Sequence, residues 1–566
     1  MNKNRINNLR KKFNNFGIDG YIIPKNDEFF SEYSNKDRLK AISGFTGSAG
    51  LSIILKKNNY LFIDGRYTIQ AQKESGKNFK IIQIHKQLPS KIIKNCTLGY
   101  DPKLFTTQRL VHYFSDNIKL SPINTNLIDL IHKQKNFKTK PFFSIDKDIV
   151  GESHKSKIKK IENFLKLNNA DYLFITAPEN VAWVLNIRGH DNPNSPIPNC
   201  HLILGRKKEI FLICDKEKVI KIVKEKKINL KQIIEPKQFK LFIKKLRNNS
   251  FIIDSQSCSK FYEKIIKSKF KIIKGKEDPC YRLKSIKNSC EIKNMIQAHI
   301  NDGLALTKFI YWMKNKYRNN ITEVDAQNKL EKFRKLNKNY LFPSFNTIAG
   351  SGSNGAIVHY RASKKTTKII KKGDIFLCDS GGQYKYGTTD VTRTICFTKP
   401  KNKIKNIFTK VLKGHIAVAE TNLKKDNTGK KIDIRARKFL KKDGLDYEHG
   451  TGHGVGFFLN VHEGPQSISK YNSIKIQEGM VLSNEPGYYK KGKYGIRIEN
   501  LVYVKKNKGN LYFENLTLAP IDKDLINYKL LNKGEKDYLF RYHLDIYFKY
   551  SKFLNLSERK WLASLI

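Results

Sequence analysis

One order of elements occurs twice in the first half of this chain, and that repetition constrains the fold more than any single motif does. The first copy runs Tyr21-Ile22-Ile23-Pro24, Ser43-Gly44, Leu51–Leu55 and Tyr60–Asp64. The second runs Tyr172–Ile175, Arg188-Gly189, His201–Leu204 and Ile210–Asp215. Tyr21 to Asp64 and Tyr172 to Asp215 have the same separation, 43 positions. Each copy follows a stretch whose apolar residues recur at helical spacing, Ile6–Phe16 and Ile158–Leu167. Short apolar runs alternating with helical patterns point to α/β layers. Two α/β domains of one build are therefore expected, over residues 1–145 and 146–280.

The pattern changes near residue 281. A long helix is expected over Glu291–Lys314, with Ile292, Met295, Ile296, Ile300, Leu304 and Phe309 on its apolar side. Strand-like runs and glycine-rich turns follow: Asn346–Gly355, Ile375–Asp379, Gly381–Gly387, Val391–Phe397 and Glu448–Gly456. A third domain, 281–566, is expected, with a C-terminal extension from about residue 506. No apolar run approaches the roughly 18 residues of a membrane span, and MNKNRINNLRKKF lacks the apolar centre of a secretory signal. None of the eight cysteines forms a C-x-x-C pair, and several sit in apolar runs such as Ile210–Cys214. They read as small buried thiols in a reducing compartment. The expectation is a cytoplasmic protein with no membrane partner.

Charge invites another class of function. The chain has 108 Lys+Arg against 51 Asp+Glu, a formal +57. Of those 108 cations, 90 are Lys, a hydrated point charge, whereas bidentate recognition of phosphates and guanine edges favours Arg. The lysines are also spread along the whole chain. A solvated basic surface, with no specific nucleic-acid partner, is the expectation.

The third domain concentrates acids and histidines at strand ends. Asp379 closes Ile375–Cys378, and a glycine-containing connection leads to Asp390, which opens Val391–Phe397. Two strands joined by such a turn lie side by side, so both carboxylates can meet at one end of the sheet. His449-Gly-Thr-Gly-His453-Gly-Val-Gly, Val481-Leu-Ser-Asn-Glu485-Pro-Gly and Tyr494-Gly-Ile-Arg497-Ile-Glu499 follow. In the last string the strand period of two puts Arg497 and Glu499 on one face. Four carboxylates gathered out of water cost several kcal/mol each unless cations neutralise them. Two divalent metals balance them, and an oxygen-rich set with one imidazole suits Mn²⁺, Co²⁺ or Zn²⁺. Such a pair, roughly 3.5–4 Å apart, makes water a nucleophile at neutral pH.

Asp379, Asp390, His453, Glu485 and Glu499, in these contexts, resemble the five-ligand set of the pita-bread metallopeptidases. Asp379-Ser-Gly-Gly-Gln-Tyr, Gly387-Thr-Thr-Asp390-Val-Thr-Arg-Thr, Leu459-Asn-Val-His462-Glu-Gly-Pro and Arg38–Gly50 resemble the long, three-domain, cytosolic aminopeptidase P branch. So do Asp64-Gly-Arg66-Tyr67, Trp183–Gly189 and Leu516–Pro520. The resemblance implies an α/β chain in which two creatinase-N-like α/β domains precede an α+β pita-bread catalytic domain. It implies a metal-dependent aminopeptidase that releases the residue before proline from short peptides, with two divalent ions, Mn²⁺ foremost. Asp379 would hold one metal and His453 with Glu485 the other, bridged by Asp390 and Glu499. Glu485 would be general base. His359 and His462 would hold the carbonyl and its oxyanion, and His449 would shape the pocket beside proline. Arg497 would orient carboxylates or form a plain salt bridge. Arg66 would reach substrate or pair within its own domain. A homodimer through the third domain is implied too. The alternatives are a prolidase-like dipeptidase and an inactive binding relative.

Overall fold

A computed structural model describes residues 2–114, 117–133, 140–316 and 319–566. Its chain divides into two compact units, one of residues 1–147 and 152–280, the other of 148–151 and 281–566.

The first unit holds the two repeats. The strands of the first repeat are β1 (Gly20–Pro24), β2 (Leu51–Leu55), β3 (Asn59–Ile63), β4 (Lys80–Gln83), β5 (Cys96–Tyr100) and β6 (Ile118–Pro122). They form one sheet in the order β4-β3-β2-β1-β5-β6. After β7 (Phe143–Ser144), the second repeat supplies β8 (Tyr172–Ile175), β10 (His201–Gly205), β11 (Ile210–Ile213), β12 (Ile233–Ile234), β13 (Ser250–Ile253) and β14 (Lys271–Ile273). The intervening β9 (Ile187–Arg188) pairs with β7. The second sheet, β12-β11-β10-β8-β13-β14, repeats both the order and the parallel or antiparallel sense of every pairing in the first. The helix His154–Leu167 starts at Ser153, whose Oγ accepts from Ser156 N, and buries Ile158, Ile161 and Leu165. The matching stretch near the N-terminus is not one helix: Asn2–Arg10 is followed by a separate 3₁₀ turn at Asn14–Phe16. Asn14 and Asn15 favour turns over helix interiors, and Gly17, at φ 57°, closes the turn.

In the second unit the expected long helix runs Ser289–Lys316 and packs on Glu323–Lys335. Arg334 of the latter grips Asp302 of the former through Nε and a terminal nitrogen (2.7 and 3.2 Å). Strands follow as β15 (Tyr340–Pro343), β16 (Ile348–Ser351), β17 (Ile375–Ser380), β18 (Gly382–Tyr384), β19 (Gly387–Thr388), β20 (Val391–Cys396), β21 (Gly452–Gly454) and β22 (Glu463–Ile468). Then come β23 (Val481–Asn484), β24 (Gly487–Lys490), β25 (Tyr494–Arg497), β26 (Asn500–Asn507) and β27 (Asn510–Asn515). The site is built on two of the resulting antiparallel sheets, β16-β17-β20 and β22-β21-β23-β26-β27. The connection between β17 and β20 is more than a turn, because β18 and β19 form their own ladder with β15. The expected single strand 494–500 is broken between β25 and β26, which belong to different sheets. The C-terminal helix Lys533–Tyr550 is boxed at its start by Asn532 and Glu535 and buries Leu539, Tyr542, Ile546 and Tyr550 at helical spacing. No helix among the described residues is long and apolar enough to cross a membrane.

Candidate active site

Register brings the acids together. Asp379 pairs with Thr392 across β17 and β20, and Ser380 with Val391, so Asp379 and Asp390 lie at the same end of that ladder. Asn484 pairs with Asn500, which leaves Glu485 and Glu499 side by side just beyond β23 and β26. His453 stands on β21, which pairs with β23. The two sheets are joined at Thr392: its Oγ1 donates to Glu499 Oε2 at 2.7 Å, and Glu499 N donates to its carbonyl at 3.1 Å.

The result is a buried acidic cluster. Ligand atoms of Asp390, His453 and Glu499 all lie within 4.8 Å of one another. His453 Nε2 is 3.4 Å from Asp390 and 3.5 Å from Glu485. Its Nδ1 faces the Gly454 carbonyl at 2.9 Å. A carbonyl only accepts, so Nδ1 carries a proton, and the nitrogen turned to the cluster, Nε2, is the one that gains or loses its proton there. Asp379 Oδ2 accepts from Arg497 at 2.6 Å, while its Oδ1 is buried with no hydrogen-bond partner.

Electrostatics point the same way. Burial, then crowding by Asp390 and Glu485, outweigh the pull of Arg497 and push Asp379 up to about 7. Burial and the repulsion of Asp390, Glu485 and Asp379 hold Glu499 well above the usual carboxylate range. Burial also raises Glu485, against the attraction of His453 and Arg497. His453 moves oppositely: burial disfavours the imidazolium, but Asp390 and Glu485 outweigh it and raise the ring to about 9. Anions repelling one another around a buried, unpartnered oxygen are what a divalent cation relieves. The donor set fits such ions.

The remaining expected residues divide. His462 is exposed at the rim, its ring 4.3 Å from that of His453. His449 Nδ1 donates to the Gly450 carbonyl (2.8 Å), so its Nε2 accepts from Tyr489 Oη (2.8 Å). Tyr489 Oη in turn accepts from Arg497 (2.6 Å). One hydrogen-bonded chain thus links Asp379, Arg497, Tyr489 and His449. His359 is half-buried on the loop between Asn354 and Tyr360. Arg66 is bidentate to Asp64 of its own domain (3.1 and 2.7 Å), the second of the two roles its sequence context left open.

Thr392, Tyr489 and Arg393 were not singled out from the sequence. Thr392 was legible, since Asp390, Thr392 and Thr394 alternate on one strand face and Thr394 Oγ1 also reaches this corner, donating to the Arg497 carbonyl (2.9 Å). Arg393, buried, ties the Glu499 carbonyl to those of Ala519 and Pro520, a contact spanning 127 residues that no local string reveals.

Comparison with known proteins agrees with this architecture. The chain matches the model of metallopeptidase family M24 over residues 293–506 and that of its C-terminal region over 509–565. Creatinase/prolidase N-terminal domain models match 5–129 and 133–291. A probable Xaa-Pro aminopeptidase P of Laccaria bicolor is 36% identical, the match covering 99% of this chain and 92% of that protein. The crystal structure of an X-prolyl aminopeptidase from Caenorhabditis elegans, described as a cytosolic enzyme with a di-nuclear active site, superposes with TM-score 0.91. That match is 28% identical and covers 100% of this chain and 99% of the other. Prolidase from Pyrococcus furiosus is 27% identical, with TM-score 0.51, over 63% of this chain and 99% of its own. Matched end to end by such relatives, and carrying the acidic cluster on the sheets they share, the chain belongs to metallopeptidase family M24, in its aminopeptidase P branch.

Proposed function

We propose that this protein is a metal-dependent Xaa-Pro aminopeptidase, which removes the N-terminal residue from short peptides with proline second. The observation that carries the reading is the buried acidic cluster, with Asp379 Oδ1 unpartnered inside it. Asp379, Asp390, His453, Glu485 and Glu499 would hold two divalent ions, and the oxygen-rich donor set supports Mn²⁺ ahead of Co²⁺ or Zn²⁺. Bound there, the ions lower the pKa of water and polarise a carbonyl.

The protein's own groups do the rest. Glu485, steadied by Ser483 Oγ at 3.0 Å, takes the proton of the attacking water. His462 and His359 donate to the peptide carbonyl as it gains charge. His449, its nitrogens engaged by Gly450 and Tyr489, offers ring surface to the proline. A prolyl amide has no N–H and a fixed φ, so a peptidase for it needs a shaped pocket and no donor bond from that nitrogen. The three-part division at 145/146 and 280/281, a cytoplasmic location and a homodimer through the third domain belong to the same reading. Six buried and two half-buried free cysteines support a reducing compartment. Exposed Phe548, Phe553 and Leu556 give the third domain apolar surface for a second copy.

The dipeptidase alternative is set aside, because the end-to-end relatives are Xaa-Pro aminopeptidases while the prolidase likeness covers 63% of the chain. Hydrolysis of Arg-Pro-Pro and Gly-Pro, after chelation and after return of Mn²⁺, tests the proposal. Arginine should be released from the tripeptide only with metal present. Faster cleavage of Gly-Pro would restore the dipeptidase, and no cleavage with Mn²⁺, Co²⁺ or Zn²⁺ would leave the protein an inactive relative.

A further inference from the structure

We propose that Glu463, clasped by Lys284 and Lys287, is a positioning residue that fixes His462 against His453 for the cleavage reaction. The inference rests on the peptidase reading above. All three charged side chains are buried. Lys284 Nζ lies 3.0 Å from Glu463 Oε2, and Lys287 Nζ bonds to Oε1. Each carboxylate oxygen therefore has its own cation, which fixes the group in both place and rotation.

The clasp is itself held down. Lys287 N donates to the Gly479 carbonyl at 2.9 Å, and Ile286 bridges to Met480, immediately before β23. The lysines are thus referenced to the strand that leads into Glu485. Glu463 adjoins both site histidines through the backbone. It follows His462 directly in the chain, and it pairs with Gly454, the neighbour of His453, where the ladder of β21 and β22 shifts register. A Cβ on Gly454 would come within 2.4 Å of the Glu463 carbonyl oxygen, so the two backbones touch with no room for a side chain between them. Moving Glu463 moves His462 relative to His453.

Burying three ions is an expensive way to hold a strand. Desolvation costs several kcal/mol per ion, and well-packed apolar residues often replace a buried ion pair without loss. What an apolar trio lacks is the fixed orientation that two directed bonds give. That orientation bears on His462, whose ring is otherwise exposed at the rim.

The test is a double-mutant cycle between E463Q and H462A, with kcat, KM and bound Mn²⁺ measured for each. E463Q should lower kcat about 10–100-fold, the scale of losing an outer-shell partner, with KM and metal content within about twofold of wild type. In the H462A background it should have no further effect. Equal losses in both backgrounds would make Glu463 merely structural, and wild-type kcat in folded E463Q would remove it altogether. Should E463Q fail to fold, K284M keeps the Lys287–Glu463 pair and is read by the same cycle. If the wild-type protein cleaves no Xaa-Pro peptide, the peptidase reading fails, and the positioning claim is then decided by crystal structures. A His453–His462 ring separation unchanged from 4.3 Å in E463Q would overturn it, and a displaced His462 ring would sustain it.

Discussion

His453 and His462 are both imidazoles, 4.3 Å apart, yet their surroundings give them different work. His453 turns Nε2 to Asp390 and Glu485, with its Nδ1 proton spoken for by Gly454. His462 stands outside that cage. His453→Ala should therefore lose bound metal and activity together. His462→Ala should keep its metal and lose about 10²–10³-fold in kcat, the scale of one oxyanion donor. Metal analysis beside steady-state kinetics separates them, and a greater loss of metal in His462→Ala would reverse the assignment. The single residues of the cluster could be picked out in the sequence, because each acid or histidine stands at a strand end or beside glycine. Their partners were less so. The bond from Arg497 to Asp379 joins residues 118 apart, and local spacing carries no record of such a contact.

At the scale of elements, short apolar runs correctly marked β17 and β20, whose register sets Asp379 beside Asp390. The strand period of two misread Tyr494–Asn500 as one strand, because alternation persists through a bend where the chain changes sheets. The placement of β21 against β23 depends on a small residue. A Cβ on Gly452 would lie 1.9 Å from the Ser483 carbonyl oxygen. Gly452→Ala should push β21 off β23 and carry His453 out of the cluster, and metal titration by calorimetry should find binding weakened. Unchanged affinity would mean the ladder yields elsewhere. The staple between the two long helices is a second case. Arg334 and Asp302 are both buried, and Arg334 also donates to Ser380 Oγ, next to Asp379 (3.0 Å). Arg334→Met strands the Asp302 charge and should cost about 3–5 kcal/mol, measurable as a lowered midpoint in urea. A midpoint within error of wild type would show that Asp302 takes up a proton or solvent at little cost.

For the whole molecule, duplication was the feature most plainly written in the sequence, since equal spacing of apolar runs survives where individual residues have diverged. The two sheets repeat one topology. What spacing could not disclose is how each copy fills its core. In the second, His201 is buried among Phe174 and Tyr262 and against Phe29 of the first, its Nδ1 donating to the Thr176 carbonyl, and burial pushes its pKa down to about 4. An unfolded histidine titrates near 6.5, so between these values the unfolded chain binds more protons. Stability should fall as pH drops from about 6.5 to about 4, with about 2 kcal/mol lost from this ring between pH 7 and pH 5. In scanning calorimetry His201→Phe should shift less between those pH values than wild type, and equal shifts would contradict the argument.

The central claim is that five side chains from two sheets hold a pair of divalent ions. Mass-spectrometric metal analysis of protein loaded with Mn²⁺ and freed of excess tests it most directly, with Asp390→Asn alongside. Two ions per wild-type chain and a clear deficit in Asp390→Asn are expected, because one carboxylate of the cluster loses its charge. Full peptidase activity in wild-type protein stripped of metal, or an Asp390→Asn variant that retains both ions, would contradict it.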